Sequence, residues 1–226
     1  MTRRDCDGLI FDLDGTLIDS APDIAAALTD YFHSRGWPAV DASIVERFIG
    51  HGPRRLVLDI LAEFELPRDE ETTTRALRGY IAAYEREPAR HTRFYAHVRS
   101  DLRALRDRGF RLGVCTNKPH RLTTRILGLL GIAPLFDAVA GADNVPASKP
   151  DPSHLLIVAE RMGLKGGEWA YIGDTTVDQA TAHAAGAPFY AVPWGAGQSL
   201  DVPAAHRLSR LSDLLSLRPA TAAGPP

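Results

Sequence analysis

Two carboxylates, Asp12 and Asp14, stand two residues apart, directly after the apolar run Leu9-Ile10-Phe11 and directly before Gly15-Thr16. The run reads as a short buried strand, and Asp14-Gly15 as the turn that ends it. In an extended chain a spacing of two puts both acids on one side. Like charges held that close repel unless a cation or a shared proton intervenes. Glycine at 15 permits a turn with positive φ and leaves backbone N–H groups open to an anion. An isolated acid pair before a glycine is an ordinary strand-to-turn junction, so the argument for chemistry rests on what the rest of the chain supplies.

Three other stretches supply matching groups. Thr116-Asn117 offers a hydroxyl and an amide suited to phosphate oxygens. Ser148-Lys149-Pro150 offers a cation, and Gly173-Asp174-Thr175-Thr176-Val177-Asp178 offers two more acids. Each follows a predicted strand, at 110–115, 136–140 and 169–173, and a fifth strand is predicted at 189–192. Helices are predicted at 100–108, 122–130, 154–162 and 177–185, with a last short one over 208–217. Short apolar strands alternating with helices imply the α/β class: a Rossmann-like, three-layer core around a parallel sheet. Such sheets bind ligands beyond the carboxyl ends of their strands, and all four stretches fall there. Singly, each has a plain reading as a turn, a solvated charge or a helix cap. Their joint occurrence, in order, argues for one site.

Residues 19–90 read differently, as helices with no strand between them. Ser20 and Pro22 suit a helix start, followed by Ile24, Ala27, Leu28, Tyr31 and Phe32 at helical spacing. A second helix is capped by Asp41 or Ser43. After the glycine-flanked loop Gly50-His51-Gly52-Pro53, a third carries Leu56, Val57, Ile60, Leu61 and Phe64. A fourth, over 68–87, turns Leu77, Tyr80, Ile81 and Tyr84 inward. This predicts an inserted α-helical cap, 19–90, in a catalytic core formed by 1–18 and 91–218, with a disordered tail at 219–226.

A formal charge of −2 and a pI near 6.4 leave no basic field for nucleic acid. No apolar run is long enough for a membrane helix, and no signal peptide is visible. The two cysteines, Cys6 and Cys115, lie in or beside predicted strands, so no disulfide framework is implied and a cytoplasmic setting is expected. His33, His120, His154 and His183 form no ligand cluster, and zinc is not expected. Monomer and homodimer both remain open.

The stretches D-L-D-G-T-L-I-D-S, T-N, K-P and G-D-T-x-x-D resemble the four motifs of the haloacid dehalogenase-like superfamily of phosphotransferases, across essentially the whole chain. The resemblance implies a Mg²⁺-dependent phosphomonoester hydrolase. Asp12 would be the nucleophile, forming an aspartyl-phosphate, and Asp14 the general acid and base. Thr116 and Lys149 would hold phosphoryl oxygens with backbone N–H groups from Leu13 to Gly15, and Gly15, Thr16 and Asn117 would contact the substrate phosphate. Asp12, Asp14 through its carbonyl, and Asp174 would hold Mg²⁺, with Asp178 an outer partner or a further ligand. An acid at 14 sets the chain apart from the dehalogenase branch, which lacks one there.

D-S-A-P-D-I-A-A-A-L, F-I-G-H-G-P-R-R-L-V and H-T-R-F-Y resemble phosphoglycolate phosphatases. That implies a small phosphate ester, 2-phosphoglycolate, as substrate. His51 and Arg54 in the glycine loop and just beyond it are then expected to receive the acidic leaving group. Tyr95-Ala96-His97-Val98 departs from the Pro-Gly usual in those families. Another sugar phosphate, a nucleotide or pyrophosphate is the alternative substrate, and a phosphomutase is a further alternative. A phosphonate hydrolase would need a cap lysine, and none occurs between Asp19 and Arg90. A non-catalytic relative would be expected to have lost Asp12, Asp14 or Lys149.

Overall fold

A computed structural model describes residues 6–164 and 168–217. Five parallel strands form the central sheet: β1 (Gly8–Phe11), β4 (Arg111–Cys115), β5 (Ala138–Ala140), β6 (Trp169–Gly173) and β7 (Phe189–Ala191), in the order β5-β4-β1-β6-β7. The first strand is central, so the strand order reverses about it, and its carboxyl end opens on the crevice where such sheets bind ligands. β1 is buried throughout. Leu9 and Phe11 join one apolar cluster and Ile10 the other, as the two-residue period of a strand requires. Helices α5 (Val98–Asp107) and α6 (His120–Leu129) supply the first cluster, and α7 (Pro152–Arg161) and α8 (Thr176–Ala184) the second. This is the three-layer α/β/α core expected.

Residues inserted after β1 form α1 (Ala21–Ser34), α2 (Ala42–Phe48), α3 (Pro53–Glu63) and α4 (Glu70–Arg86). α1 packs on α4 and α2, and α3 on α4. Ile24, Leu28, Phe32, Val57, Ile60 and Ala76 fill their interior, which is continuous with the first apolar cluster of the core. Asp41, not Ser43, caps α2, accepting from the Ser43 N–H at 2.8 Å. Ser20 precedes α1 but does not cap it: its hydroxyl donates instead to Asp14 Oδ1 at 2.5 Å.

Two features escaped the sequence. A two-stranded antiparallel ribbon, β2 (Ile18–Asp19) with β3 (Arg93–Phe94), joins the outgoing and returning connections of the insertion. A pair of residues per strand is too short for a periodic signal. Beside it, buried Asp23 accepts from the N–H groups of His91 and Thr92 and from the Thr92 hydroxyl at 2.7–3.0 Å. The predicted helix over 208–217 is a 3₁₀ segment, Leu211–Ser216, and the other predicted element ends shift by up to three residues. At the departure from Pro-Gly, His97 takes φ +66°, a conformation glycine adopts without strain. The tail at 219–226 lies outside the described residues. Among those described, no helix is long and apolar enough to cross a membrane.

Candidate active site

The chain leaves β1 at Phe11, so Asp12 and Asp14 are no longer governed by strand alternation. Leu13 accepts from the N–H groups of Leu17 and Ile18, and Gly15 donates to Ile18, folding the motif into a tight turn. This sends the two acids to different partners. The Gly15 N–H is thereby committed, while those of Leu13 and Asp14 have no backbone acceptor among the described residues. Gly15 has φ +85°, and a Cβ there would lie 2.3 Å from Asp174 Oδ2. Glycine is needed both for the turn and for the close approach of that acid.

Asp12, Asp174 and Asp178 are each buried, and each offers a carboxylate oxygen within 4.8 Å of the others. Lys149, also buried, lies between two of them: its Nζ donates to Asp178 Oδ1 at 2.6 Å and lies 2.9 Å from Asp12 Oδ1. The angle of that second contact leaves Asp12 Oδ1 without an aligned hydrogen bond. Burial pushes Asp12 up to about 7, with Lys149 opposing and the Asp178 charge assisting. Asp174 is raised as well, by burial and by the charges of Asp178 and Asp12. For Lys149, burial works to lower the pKa, and the charges of Asp12 and Asp178 outweigh it and hold the ammonium charged.

Asp178 is placed differently from the other two. Thr175 caps α8 by accepting from the Asp178 N–H, and Asp178 reciprocates by accepting from the Thr175 N–H at 3.0 Å. It also accepts from the Thr175 hydroxyl at 2.6 Å, the Asp174 N–H at 3.3 Å and Lys149. The Tyr171 hydroxyl, which accepts from Lys149, lies 2.8 Å from Asp178 Oδ1 and 3.0 Å from the Cys115 carbonyl. Burial alone would raise Asp178, yet these donors hold it below the usual carboxylate range. Both its oxygens are occupied, which fits the outer-partner reading of its role better than direct ligation. Asp174 escapes capping duty and instead accepts from the Thr16 hydroxyl at 2.7 Å.

On the other side of the turn, both oxygens of Asp14 accept from Lys118 Nζ at 2.8 Å, and Oδ1 also accepts from Ser20. The Asp14 charge still raises Asp12, but it ranks behind burial and the charges of Lys149 and Asp178. Nothing local in the sequence singles out Lys118. The T-N-K run placed it after a strand end, but only the fold turns its side chain onto Asp14.

A small cavity of about 30 Å³ lies against these groups. Asp12, Asp14, Thr116, Asn117 and Lys118 face it from the core, and Ile24, Ile49, Leu56 and Tyr80 from the insertion. Asn117 is there, but its amide N–H groups donate to the carbonyls of Gly50 and Lys149, both at 3.0 Å, so it latches the glycine loop to the core. Thr16 and Gly15 serve Asp174 in the same indirect way. His51 and Arg54 are exposed and absent from the cavity wall. Arg54 pairs with Glu70 at 2.6 Å on the surface, because the first turn of α3 points it outward. The loop brings its glycines to the site and its basic residues to solvent.

A parallel sheet with a helical insertion after its central strand, and buried acids with a lysine at its strand ends, defines a class. The chain belongs to the haloacid dehalogenase-like hydrolases, whose family model matches residues 9–192. A curated relative from Cereibacter sphaeroides, named phosphoglycolate phosphatase, is 40% identical over 182 residues, spanning 80% of this chain and 83% of the relative. One of the same name from Escherichia coli is 34% identical over 220 residues, covering 88% and 86%. A crystal structure from Haemophilus somnus, described as a predicted phosphoglycolate phosphatase, superposes with a TM-score of 0.82 at 27% identity, covering 93% and 96%.

Proposed function

We propose that this chain hydrolyses 2-phosphoglycolate to glycolate and phosphate, with Mg²⁺, through a phosphoryl group carried transiently on Asp12. Its kinship makes it a phosphatase, and the leaving group and mechanism are what the proposal adds. The observation that supports it most is Asp12 Oδ1: a buried carboxylate oxygen at the end of the central strand with no aligned donor, between Lys149 and two further acids.

The acid cluster suits a hard divalent cation. Three buried carboxylates share one lysine, and burial raises two of them, a cost that a cation relieves. Asp12 and Asp174, with the Asp14 carbonyl, would hold Mg²⁺, and Asp178 would fix Lys149 and the α8 start behind them. When bound, the ion neutralises charge on the phosphoryl oxygens.

The side chains divide the remaining work. Asp12 attacks phosphorus, and Lys149 holds its carboxylate in place while countering charge on the phosphoryl group. The Thr116 hydroxyl and the N–H groups of Leu13 and Asp14 face the transferring oxygens. Asp14 gives its proton to the leaving oxygen and takes one from the water that attacks the aspartyl-phosphate. The insertion supplies one wall of the cavity, through Ile24, Ile49, Leu56 and Tyr80, which supports its role as a cap that shields the site from bulk water.

The test is Mg²⁺-dependent phosphate release from 2-phosphoglycolate, sugar phosphates, a nucleoside monophosphate, pyrophosphate and an aryl phosphate, with EDTA controls. The expected result is a preference for 2-phosphoglycolate of roughly a hundredfold in kcat/KM, about 2.7 kcal/mol. Equal weak activity on all of them overturns the substrate.

A further inference from the structure

Glycolate differs from a neutral alcohol by its carboxylate, and a site that selects it needs a cation on the leaving-group side. The surface arginines of the glycine loop do not provide it, since Arg54 is turned to Glu70 and Arg55 to Asp59. Lys149 does not either. Asp178, Tyr171 and Asp12 surround its ammonium, and it does not line the cavity. Among the residues that line the cavity, Lys118 is the one cation.

We propose that Lys118 is the specificity-determining residue of this site, its ammonium receiving the carboxylate of an acidic leaving group. The proposal rests on the phosphatase reading above and deepens it. The Lys118 side chain is only 3% exposed, with Nζ 4.8 Å from the centre of the Tyr84 ring on α4. Among the described residues its only hydrogen-bond acceptor is Asp14, which leaves donor capacity for another oxygen.

Position argues the same way. Asp14 must reach the leaving oxygen to protonate it, and Lys118 is bonded to Asp14. In 2-phosphoglycolate the carboxylate sits one carbon from that oxygen, which brings it to the ammonium. The rest of the wall offers it no second charge partner: the Tyr80 and Thr116 hydroxyls and the Asn117 amide are neutral. Asp12 and Asp14 repel it, and Ile24, Ile49, Leu56 and Leu122 cannot solvate it. A charge contact made to this buried ammonium discriminates more strongly than one at the surface. A neutral leaving group gains nothing from the lysine.

The experiment compares 2-phosphoglycolate with 2-hydroxyethyl phosphate, which carries CH₂OH in place of the carboxylate, and includes 3-phosphoglycerate as a second acidic ester. Wild type should favour the acidic esters by at least roughly tenfold in kcat/KM, and Lys118→Met should lower that acidic-to-neutral ratio by at least about tenfold. Lys118→Arg should restore much of the ratio. Lys118→Gln carries the same test should the methionine variant fail to fold. Rates on both ester types falling together, with the ratio unchanged, would overturn the proposal and leave Lys118 a positioning residue for Asp14. A wild-type ratio near one would overturn it together with glycolate as substrate. A preference for 3-phosphoglycerate that still depends on Lys118 would support the lysine and overturn only glycolate.

Discussion

Asp12 and Asp14 are two residues apart, yet they belong to different halves of the site. Around Asp12 everything is core: two further acids, Lys149 and Tyr171, placed by the end of β6, the loop after β5 and the start of α8. Around Asp14 the partners are Lys118 from the end of β4, Ser20 from the first connection into the insertion, and beyond them the rings of Tyr80 and Tyr84. In the proposed reading the first half holds the phosphoryl group, and it is short of donors at one oxygen. The second has an acid already matched by a lysine, walled by apolar side chains from the cap. The tight turn closed through Leu13 and Gly15 lets two neighbouring acids face such different surroundings.

That division can be broken at its pivot. Gly15→Ala should have the largest effect of the three tests that follow, because the new Cβ meets Asp174 and the backbone there has φ +85°. The expected outcome is a loss of activity of about a hundredfold or more and a marked rise in the Mg²⁺ needed for half-maximal rate. An unchanged metal titration would detach Asp174 from the phosphoryl half.

The acid cluster also makes a prediction about stability. Asp12 is raised to about 7 in the folded protein, well above its unfolded value, so between those two values the folded state binds more protons. Without metal, stability should therefore fall as pH rises from about 5 to 8, by roughly 5 °C in Tm. Asp178, which is lowered, acts at more acidic pH and does not reverse this sign. Added Mg²⁺ should raise Tm more at pH 8 than at pH 5.5. Calorimetry showing equal stabilisation at both would place the cation elsewhere.

Arg54→Ala sharpens the other half by doing little. Its partner Glu70 is exposed, and surface pairs of this kind contribute about 0–1 kcal/mol. Its kcat/KM on 2-phosphoglycolate should stay within about twofold of wild type. A large drop would bring the glycine loop's arginine back as the carboxylate's partner.

The phosphoryl half was legible in the sequence because its chemistry sits at strand ends. An apolar run locates each strand, and an acid or hydroxyl just past it, or a lysine in the loop that follows, falls on the sheet's carboxyl side. The leaving-group half was not, because its contacts join segments far apart in the chain. Lys118 and Asp14 are 104 residues apart, and no local pattern announces their pairing. Glycines 50 and 52 did mark a loop that closes on the core, through Asn117. The direction of the basic residues after it depended on the phase of α3, which spacing from a glycine does not set. Asp178 was left between two roles, and the hydrogen bonds that occupy both its oxygens and favour the outer one are visible only in three dimensions.

The contrast between the two acids meets its most direct test in acid quenching during turnover of 2-phosphoglycolate with Mg²⁺, followed by fragmentation mass spectrometry of the peptide holding both. The expected result is a phosphoryl group on Asp12 and none on Asp14, with Asp12→Asn folded, inactive and unlabelled. A phosphoryl group on Asp14, or full activity in Asp12→Asn, would contradict it.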